Sequence, residues 1–302
     1  MGGSACGDLR LVTGTLFCFG LGYSAQTLAR RLAARGWEIR GTTRRPEKAA
    51  ALAALGWRLF PFSRERPLAD PAEALGGVTH VLTSIAPDEA GDPGLDLHGR
   101  DLEALPGLAW VGYLGTTAVY GDRQGAWVDE DTPIEPTLAR ADRRARAEAA
   151  WLASGLPVHV FRLAGIYGPG RNAFVNLKDG TARRIVKPGQ MFSRIHVEDI
   201  ASVLEASIAQ PRPGAIYNVC DDEPTPPQDV VAFAAELMDV PPPPEQPYET
   251  ADLSPMARTF YRDNRRVGNA RIKQELGVRL AFPTYREGLR ALLPIDGQPG
   301  RG

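Results

Sequence analysis

The sequence predicts an α/β protein in which a doubly wound, mainly parallel sheet is followed by a small α+β lobe. Short apolar runs alternate with helical patterns up to about residue 170, which is typical of parallel strands covered by helices on both faces. The alternation then breaks up. With 302 residues, 43% of them apolar, the chain is long enough for a sizeable core. We predict one domain over residues 12–170 and a smaller lobe over residues 171–295, some of whose elements return to the sheet.

Hydrophobic patterns place the elements of the first domain. Apolar runs predict six strands, at Thr15–Phe19, 37–42, 57–60, 79–85, 109–114 and Val158–Leu163. Apolar residues spaced three or four apart predict helices at 23–35, 46–55 and 138–154. Pro46 stands near the start of the second helix, where its missing N–H is not needed.

The second half of the chain has fewer regular patterns. It predicts helices at Val197–Ala209, 228–238, 266–276 and 285–293, and one strand at 215–219. The consecutive prolines at 241–244 indicate a stiff surface connection. Residues 296–302 have the composition of a frayed tail.

Charge and composition exclude several function classes. Lys and Arg number 35 against 36 acidic residues, and this net charge of −1 gives no general attraction to nucleic acid or an anionic membrane. No apolar stretch approaches the ~20 residues that span a bilayer. Cys6, Cys18 and Cys220 lack disulfide or zinc spacing, and the four histidines are isolated. We therefore expect a cytoplasmic protein with no metal site.

The strongest local motif is a glycine turn, Gly20-Leu21-Gly22-Tyr23-Ser24-Ala25, between the first strand and the first helix. In the G-x-G-x-x-G/A pattern, Gly20 permits the tight turn and Gly22 lets the backbone approach a pyrophosphate. Ala25 is small enough for helix–strand packing, and the helix N-terminus offers free N–H groups to the anion. An unrelated glycine turn is the alternative. The strand before it and the helix after it favour a Rossmann-type dinucleotide site.

The end of the second strand indicates which dinucleotide binds. An NAD site usually carries Asp or Glu there to accept hydrogen bonds from the ribose. This chain instead has Thr43, Arg44 and Arg45, with no acid. Because a guanidinium binds a 2′-phosphate bidentately, we predict NADP, with NAD as the alternative, and favour Arg44 as the first arginine after the strand. The competing interpretation makes both arginines solvated charges.

Four further segments occur in order along the chain. They are Gly115-Thr116-Thr117-Ala118-Val119-Tyr120-Gly121, Arg162-Leu163-Ala164-Gly165-Ile166-Tyr167-Gly168-Pro169-Gly170, Arg194-Ile195-His196-Val197-Glu198-Asp199-Ile200 and Ile216-Tyr217-Asn218-Val219. With the glycine turn, this set resembles the extended short-chain dehydrogenase/reductase family, the NAD-dependent epimerase/dehydratases, over nearly the whole chain. The resemblance implies a Rossmann domain with a small C-terminal substrate lobe, often for a nucleotide sugar. Family members are often dimers, so the resemblance also implies a homodimer.

The chain departs from the family at its proton-transferring motif. The family uses Tyr-x-x-x-Lys, in which the tyrosine exchanges a proton with the substrate and the lysine holds the nicotinamide ribose. No tyrosine here lies four residues before a lysine. Counting back from Glu148 puts Arg144 at the lysine position and Arg140 at the tyrosine position. Arg144 can still hold the ribose, whereas Arg140 cannot serve as an ordinary acid because a guanidinium stays protonated. In this departure the chain resembles an atypical, YeeZ-like subgroup of the family.

A simpler interpretation of the helix at 138–154 is a solvated face. Asp142 with Arg146, and Arg144 with Glu148, are spaced for i,i+4 ion pairs, each contributing ~0.2–0.5 kcal/mol. Both interpretations stay open from the sequence.

The catalytic set predicted from the resemblance is Thr116, Tyr120 and Arg144. Thr116 matches the family's catalytic Ser or Thr, although a strand-end threonine can also bond its own backbone. Tyr120, Tyr167 and Tyr113 are the candidates to replace the missing acid, of which Tyr113 fits the core better.

Loops at strand ends complete the predicted cofactor site. Ala86-Pro87 follows the fourth strand and Ala164-Gly165 follows the sixth, where the carboxyl ends of parallel strands line the ligand crevice.

The resemblance places the substrate at the start of the C-terminal lobe. The residues predicted to contact it are Tyr167, Arg171, Asn176, Lys187 and Arg194. The three cationic ones suit a phosphate or carboxylate, with ordinary surface charge as the alternative. His196 and Asp199 are interpreted as structural.

Two functions remain compatible with the sequence. The first is an atypical NADP-dependent oxidoreductase or epimerase of a small polar or nucleotide-sugar-like substrate. The second is a non-catalytic NADP(H)-binding redox sensor, similar to the NmrA-like regulators, which the missing tyrosine favours. The retained cleft motifs favour the enzyme.

Overall fold

The computed structural model describes residues 13–298. Its strands, in chain order, are β1 (Thr15–Phe19), β2 (Glu38–Thr43), β3 (Arg58–Pro61), β4 (His80–Thr83), β5 (Trp110–Thr116), β6 (Trp127–Val128), β7 (Val158–Leu163), β8 (Gly165–Tyr167), β9 (Arg184–Val186), β10 (Arg194–His196), β11 (Ile216–Val219), β12 (Glu245–Pro247) and β13 (Arg266–Val267). Its α-helices are α1 (Tyr23–Ala33), α2 (Pro46–Ala53), α3 (Pro71–Leu75), α4 (Pro93–Glu103), α5 (Ala139–Ala153), α6 (Ala173–Lys178), α7 (Val197–Ala209), α8 (Pro227–Leu237), α9 (Pro255–Phe260), α10 (Ala270–Leu276) and α11 (Tyr285–Leu292). A 3-10 turn covers Thr117–Tyr120, and a π-helical turn covers Leu293–Gly297.

A seven-stranded parallel sheet forms the centre of the molecule, in the order β11-β7-β5-β4-β1-β2-β3. The strand order reverses between β1 and β4, which pair from Leu16 with His80 to Phe19 with Thr83. In open α/β sheets a ligand crevice forms at such a reversal, outside the carboxyl ends of the strands. The predicted α/β class and doubly wound sheet are confirmed.

The core lies on both faces of the sheet because successive side chains of a strand point to opposite faces. In β1, Leu16 and Cys18 belong to the cluster that includes residues of α1 and α7. Phe17 and Phe19 belong to the cluster that includes Trp151 of α5. Burial on both faces explains why the strands have continuous apolar runs rather than alternating polarity.

Several elements match the sequence predictions, and β1, β7 and α7 match to the residue. The predicted helix at 266–276 is partly wrong, since Arg266–Val267 is a strand paired with β6 and the helix starts at Ala270. The backbone N–H of Gly268 donates to the Val128 carbonyl at 2.8 Å, so the chain is still in the strand pair there. Helix α4 was not predicted, because Gly94 and Gly99 lie within it and weaken its pattern.

Elements from the second half return to the first domain. Strand β11 pairs with β7 at the edge of the central sheet, and α7 packs on α1. Residue 12, the predicted start of the first domain, lies outside the described residues. Cys6 and the last four residues also lie outside them. The frayed tail predicted from residue 296 is wrong at its first residue, because the Asp296 carboxylate accepts hydrogen bonds from Gly170 N at 2.8 Å and Asn172 Nδ2 at 2.6 Å.

Candidate functional site

The glycine turn is held rigidly between β1 and α1. Gly20 has φ +86°, and a Cβ there would lie 2.8 Å from the Ile85 side chain. Its N–H donates to Thr42 Oγ1 at 2.8 Å, and its carbonyl accepts from Ser84 Oγ at 2.5 Å. Both faces of the turn are thus fixed by neighbouring strands. Only glycine satisfies the positive φ and the close approach together.

The residues after Gly20 fit a dinucleotide pyrophosphate. A Cβ on Gly22 would meet only Ser84 Oγ, at 3.5 Å, so this side of the turn is open. Gly22 caps α1 without any side-chain acceptor, which leaves the N–H groups of Tyr23 and Ser24 for a ligand. Ala25 is fully buried against the sheet.

The end of β2 presents the arginines expected to select the dinucleotide. Thr43 Oγ1 accepts from Arg45 N at 3.3 Å, which sets the turn into α2. Arg44 and Arg45 are both exposed, and Arg45 Nε lies 3.9 Å from a Glu47 carboxylate oxygen. Within residues 13–298, no carboxylate lies within ion-pair distance of Arg44.

A cavity of about 620 Å³ opens at the carboxyl ends of the strands. Gly22, Tyr23 and Ser24 border it at one point, and Thr116 and Arg144 border it at another. Ala164 and Gly165 contribute to its wall as well. Predicted cofactor residues from three separate strand ends therefore meet in one space. Ala86 and Pro87 follow β4 just beyond Ser84, which itself lines the cavity.

Helix α5 turns its polar side toward the end of β5. Arg144 Nη1 donates to the Leu114 carbonyl at 2.8 Å, so the guanidinium is fixed at the strand end. Thr116 Oγ1 accepts from Ala118 N at 3.2 Å and caps the 3-10 turn. Thr116 therefore bonds the local backbone, which was the alternative role predicted for it. Its side chain also borders the cavity.

Arg140 also lines the cavity, one turn before Arg144. Its guanidinium lies 4.6 Å from the ring centroid of Phe260 and donates to Met256 Sδ at 2.8 Å. The position that the resemblance assigns to the proton-transferring tyrosine thus holds a fixed cation.

Tyr120 does not reach the cavity and is corrected to a packing residue. Its side chain is fully buried. Its hydroxyl donates to Asn218 Oδ1 at 2.8 Å and accepts from Arg162 Nη1 at 2.8 Å. Burial raises the pKa of Tyr120. Tyr113 is likewise fully buried, and its hydroxyl donates to the Arg144 carbonyl at 3.3 Å.

One of the two i,i+4 pairs suggested for α5 is wrong. Asp142 and Arg146 do pair on the surface, at 3.0 Å. Glu148 instead points into the protein and pairs with Arg162 of β7 at 2.6 Å, with both side chains about 95% buried. Sequence spacing along a helix could not show this partner, because it belongs to another element.

The predicted substrate residues separate into two groups. A neighbouring cavity of about 380 Å³ adjoins the first one. Both cavities are lined by Tyr167, Arg171 and Arg194, and Asn176 lines the smaller one. Lys187 lines neither cavity, since its ammonium donates to the Tyr261 carbonyl and lies 5.2 Å from the Tyr248 ring. Lys187 is therefore corrected to a residue of the lobe's own packing.

Two charged residues of the cavity, Asp263 and Arg265, were not predicted from the sequence. Asp263 is 7% exposed and accepts from Thr137 Oγ1 at 2.6 Å. Arg265 donates to the Gly121 carbonyl at 2.8 Å and lies 3.4 Å from the Asp263 carboxylate. Both precede β13, a two-residue strand inside a region predicted as helix, so no local pattern marked them. An Asp-x-Arg pair just before a strand is too common to be a signal.

The hydroxyls of the two cavity tyrosines point to backbone carbonyls. Tyr23 donates its hydroxyl to the Pro169 carbonyl at 2.9 Å, and burial raises its pKa to about 12. Tyr167 directs its hydroxyl to the Thr284 carbonyl, at 3.5 Å, and burial raises its pKa strongly.

His196 and Asp199 have structural roles, as interpreted from the sequence. His196 Nδ1 caps α7 by accepting from Glu198 N, and burial lowers its pKa to about 4. Asp199 accepts from the backbone N–H groups of Ala281 and Phe282. Over the described part of the chain, no cluster of His, Cys, Asp or Glu suits a metal. None of the helices between residues 13 and 298 has the length and hydropathy of a membrane span.

Comparison with known proteins identifies several relatives of the chain. No family model matches the chain. Protein YeeZ of Escherichia coli strain K12 is 28% identical over 224 residues, which cover 67% of this chain and 75% of that protein. A conserved protein of unknown function from Silicibacter pomeroyi DSS is 57% identical, with a TM-score of 0.86 over 93% of this chain and 99% of the other.

Two further solved structures connect this relationship to a named fold. A Methylobacillus flagellatus protein described as an NAD-dependent epimerase/dehydratase is 26% identical, with a TM-score of 0.69 over 93% of this chain and 98% of the other. The dTDP-glucose 4,6-dehydratase of Bacillus anthracis str. Ames, solved in complex with NAD, is 17% identical and shows the same fold, with a TM-score of 0.72 over 93% and 96% of the two chains. The chain is thus similar to protein YeeZ and to proteins described as NAD-dependent epimerase/dehydratases, and it has their fold.

Proposed function

We propose that this protein is an atypical NADP-dependent oxidoreductase or epimerase that acts on a small polar or nucleotide-sugar-like substrate in the cytoplasm. The observation that carries the proposal is the single cavity shared by the glycine turn, by Thr116 and Arg144, and by Arg171 and Arg194. Groups suited to a dinucleotide and groups suited to a substrate therefore face the same space.

The choice of NADP rests on Arg44 and Arg45. The fold is one that binds NAD(P), and the Bacillus anthracis dehydratase with this fold was solved with NAD. At the end of β2, however, this chain offers two exposed guanidinium groups and no carboxylate. A 2′-phosphate supplies the negative charge that Arg44 lacks, whereas Arg45 already has a Glu47 carboxylate oxygen at 3.9 Å.

The roles of the chain's own residues follow from their positions. The turn at Gly20–Gly22 and the first N–H groups of α1 hold the pyrophosphate, and Arg144 holds the nicotinamide ribose. Thr116 donates a hydrogen bond to the reacting oxygen of the substrate. Bound NADP(H) supplies the hydride exchange. Water in the open cavity takes or gives the proton, at a rate lowered by the ~10²–10⁴-fold that a positioned acid–base contributes.

A second candidate function is an NADP(H)-binding redox sensor without catalysis. The hydroxyls of Tyr23 and Tyr167 favour it, because both point to backbone carbonyls and burial raises the pKa of both. The arginines in the cavity favour the enzyme, since a sensor needs no substrate site.

Thermal unfolding of the pure protein with NADPH, NADP⁺, NADH or NAD⁺ tests the cofactor. At 100-fold excess over Kd, one-site binding adds ~2.7 kcal/mol, which raises Tm by several degrees for a chain of this size. We expect shifts with NADP(H) that clearly exceed those with NAD(H). A shift with NAD(H) alone would overturn the role of the arginines, and no shift at all would overturn dinucleotide binding. Turnover with any carbonyl or nucleotide-sugar substrate would then exclude the sensor.

A further inference from the structure

The cavity has a strongly positive wall in a protein whose net charge is −1. Its charged lining residues are five arginines and one acid, namely Arg140, Arg144, Arg171, Arg194, Arg265 and Asp263. Among the residues that the structure describes, only Arg265 of these arginines has a carboxylate within 4 Å. Cations held together without anions repel one another, so an anionic ligand is needed to offset them.

Burial adds to this demand. Arg194 and Arg265 are partly enclosed, and burial lowers the pKa of both. Each donates mainly to backbone carbonyls, which accept hydrogen bonds but carry no full charge. A guanidinium in that setting gains more from an anion than one on the open surface does.

The cofactor accounts for only part of this charge. The pyrophosphate of a dinucleotide carries two negative charges, and its place is the glycine turn, beside which Arg171 stands 5.9 Å from the Tyr23 ring. The 2′-phosphate is expected at Arg44, which is not part of the cavity wall. With Asp263 and the pyrophosphate counted, two positive charges of the wall remain for the substrate.

Arg140 and Arg265 are each held in place by neighbouring elements of the cavity wall. Phe260 and Met256 of α9 hold Arg140 in place, and the Gly121 carbonyl and Asp263 hold Arg265. Asp263 is itself fixed by Thr137, which lies just before α5, the helix that carries Arg140. Both guanidinium groups are therefore pre-positioned in the cavity wall, linked through the Thr137–Asp263 hydrogen bond, and a planar guanidinium suits the oxygens of a phosphate.

We propose that Arg140 and Arg265 bind a dianionic phosphate group of the substrate, so that the protein acts on a phosphorylated small molecule. The inference rests on the proposed function for the reaction type, but the phosphate site can be tested without turnover. It assigns phosphate binding to Arg140, at the position where the resemblance places the family's tyrosine. Asp263 is a positioning residue in this site because it orients Arg265.

Binding of inorganic phosphate to the full-length protein, saturated with NADP⁺, tests the site. Calorimetry at pH 8 and constant ionic strength would compare the wild type with Arg140→Gln and Arg265→Gln. Arg146→Gln is the matched control, because Arg146 lies on the exposed side of the same helix and pairs with Asp142. We expect saturable binding that each cavity variant weakens at least tenfold and that the control leaves unchanged.

The outcomes separate this proposal from the cofactor assignment. NADPH affinity, measured on the same variants, should stay within twofold of the wild type for Arg140→Gln. No phosphate binding by the NADP⁺-loaded wild type, equal loss in Arg146→Gln, or tighter binding of malonate than of phosphate would each overturn the phosphate site. If Arg265→Gln fails to fold, Arg140→Gln decides alone, since Arg140 is only half-buried and its loss leaves the core intact. Failure of NADPH to bind any variant or the wild type would instead overturn the proposed function.

Discussion

Single residues at the cavity are fixed mainly by hydrogen bonds to backbone groups. Arg144 is held by the Leu114 carbonyl, Arg265 by the Gly121 carbonyl and Tyr23 by the Pro169 carbonyl. Backbone partners move little, so the side chains are pre-organised before a ligand arrives. The consequences of losing individual arginines can therefore be predicted separately.

Replacing Arg44 with alanine should weaken NADPH binding by ~1–3 kcal/mol, because a charge-assisted bond to the 2′-phosphate is lost. NADH binding should not change, since NADH lacks that phosphate. Fluorescence titration with both cofactors measures the difference. Arg45→Ala serves as the comparison, and an equal loss for NADPH and NADH in Arg44→Ala would contradict the specificity role.

Replacing Arg144 with alanine should weaken NADPH and NADH binding alike, by about 1.5–3 kcal/mol. The reason is that both cofactors carry the nicotinamide ribose, to which we assign this guanidinium. The same titration is the measurement, with Arg146→Ala as the control on the opposite side of α5. Unchanged affinity for both cofactors would show that Arg144 only supports the end of β5.

At the scale of elements, the orientation of α5 depends on a buried ion pair. Glu148 and Arg162 join α5 to β7, and Arg162 also donates to Tyr120. Together with the fully buried Trp151, this pair sets which side of α5 faces the protein. It thereby directs Arg140 and Arg144, eight and four residues before Glu148, to the cavity.

Removing one member of this pair should be costly. Arg162→Ala should lower the free energy of unfolding by ~3–5 kcal/mol, because it leaves the Glu148 carboxylate buried without its cation. Asp142→Ala removes the exposed pair of the same helix and should cost no more than ~0.5 kcal/mol. Urea denaturation measures both values. Similar losses in the two variants would show that the buried pair does not anchor α5.

At the scale of the whole molecule, the dependence of stability on pH includes a contribution from a buried acid. Asp221 is 2% exposed, and its Oδ2 has no hydrogen-bond partner among the described residues. Burial raises its pKa to about 8, while the nearby Arg194 lowers it. The folded protein thus holds a proton on Asp221 at a pH at which the unfolded chain, with a pKa of ~3.9, has lost it.

Stability should therefore fall as the pH rises toward 8, because the folded state binds more protons than the unfolded state over this range. Between pH 6.5 and 8 the loss from Asp221 should be about 1–2 kcal/mol. The buried His80 and His196, whose pKa values are lowered to about 4, change stability in the opposite direction but mainly below pH 6.5. Asp221→Asn should flatten the profile in urea denaturation between pH 6.5 and 8. An unchanged slope in the variant would assign the effect to other groups.

The sequence by itself determined the features that depend on neighbours along the chain. Periodic apolar residues identified β1, β7 and α7, and the glycine spacing identified the turn at Gly20, because backbone conformation is set locally by sterics and by side-chain pattern. The alternation of strand and helix patterns was sufficient to predict the doubly wound sheet. Each of these signals depends on residues close together in the chain, so the sequence contains it in full.

Only the tertiary structure decided which side chains share a space. It paired Glu148 with Arg162 rather than with Arg144, moved Tyr120 and Lys187 away from the cavity, and added Asp263 and Arg265 to it. These residues are far apart in the chain, and their contacts arise only when helices and strands pack. A side chain's direction depends on that packing, and spacing along one element cannot specify a partner on another.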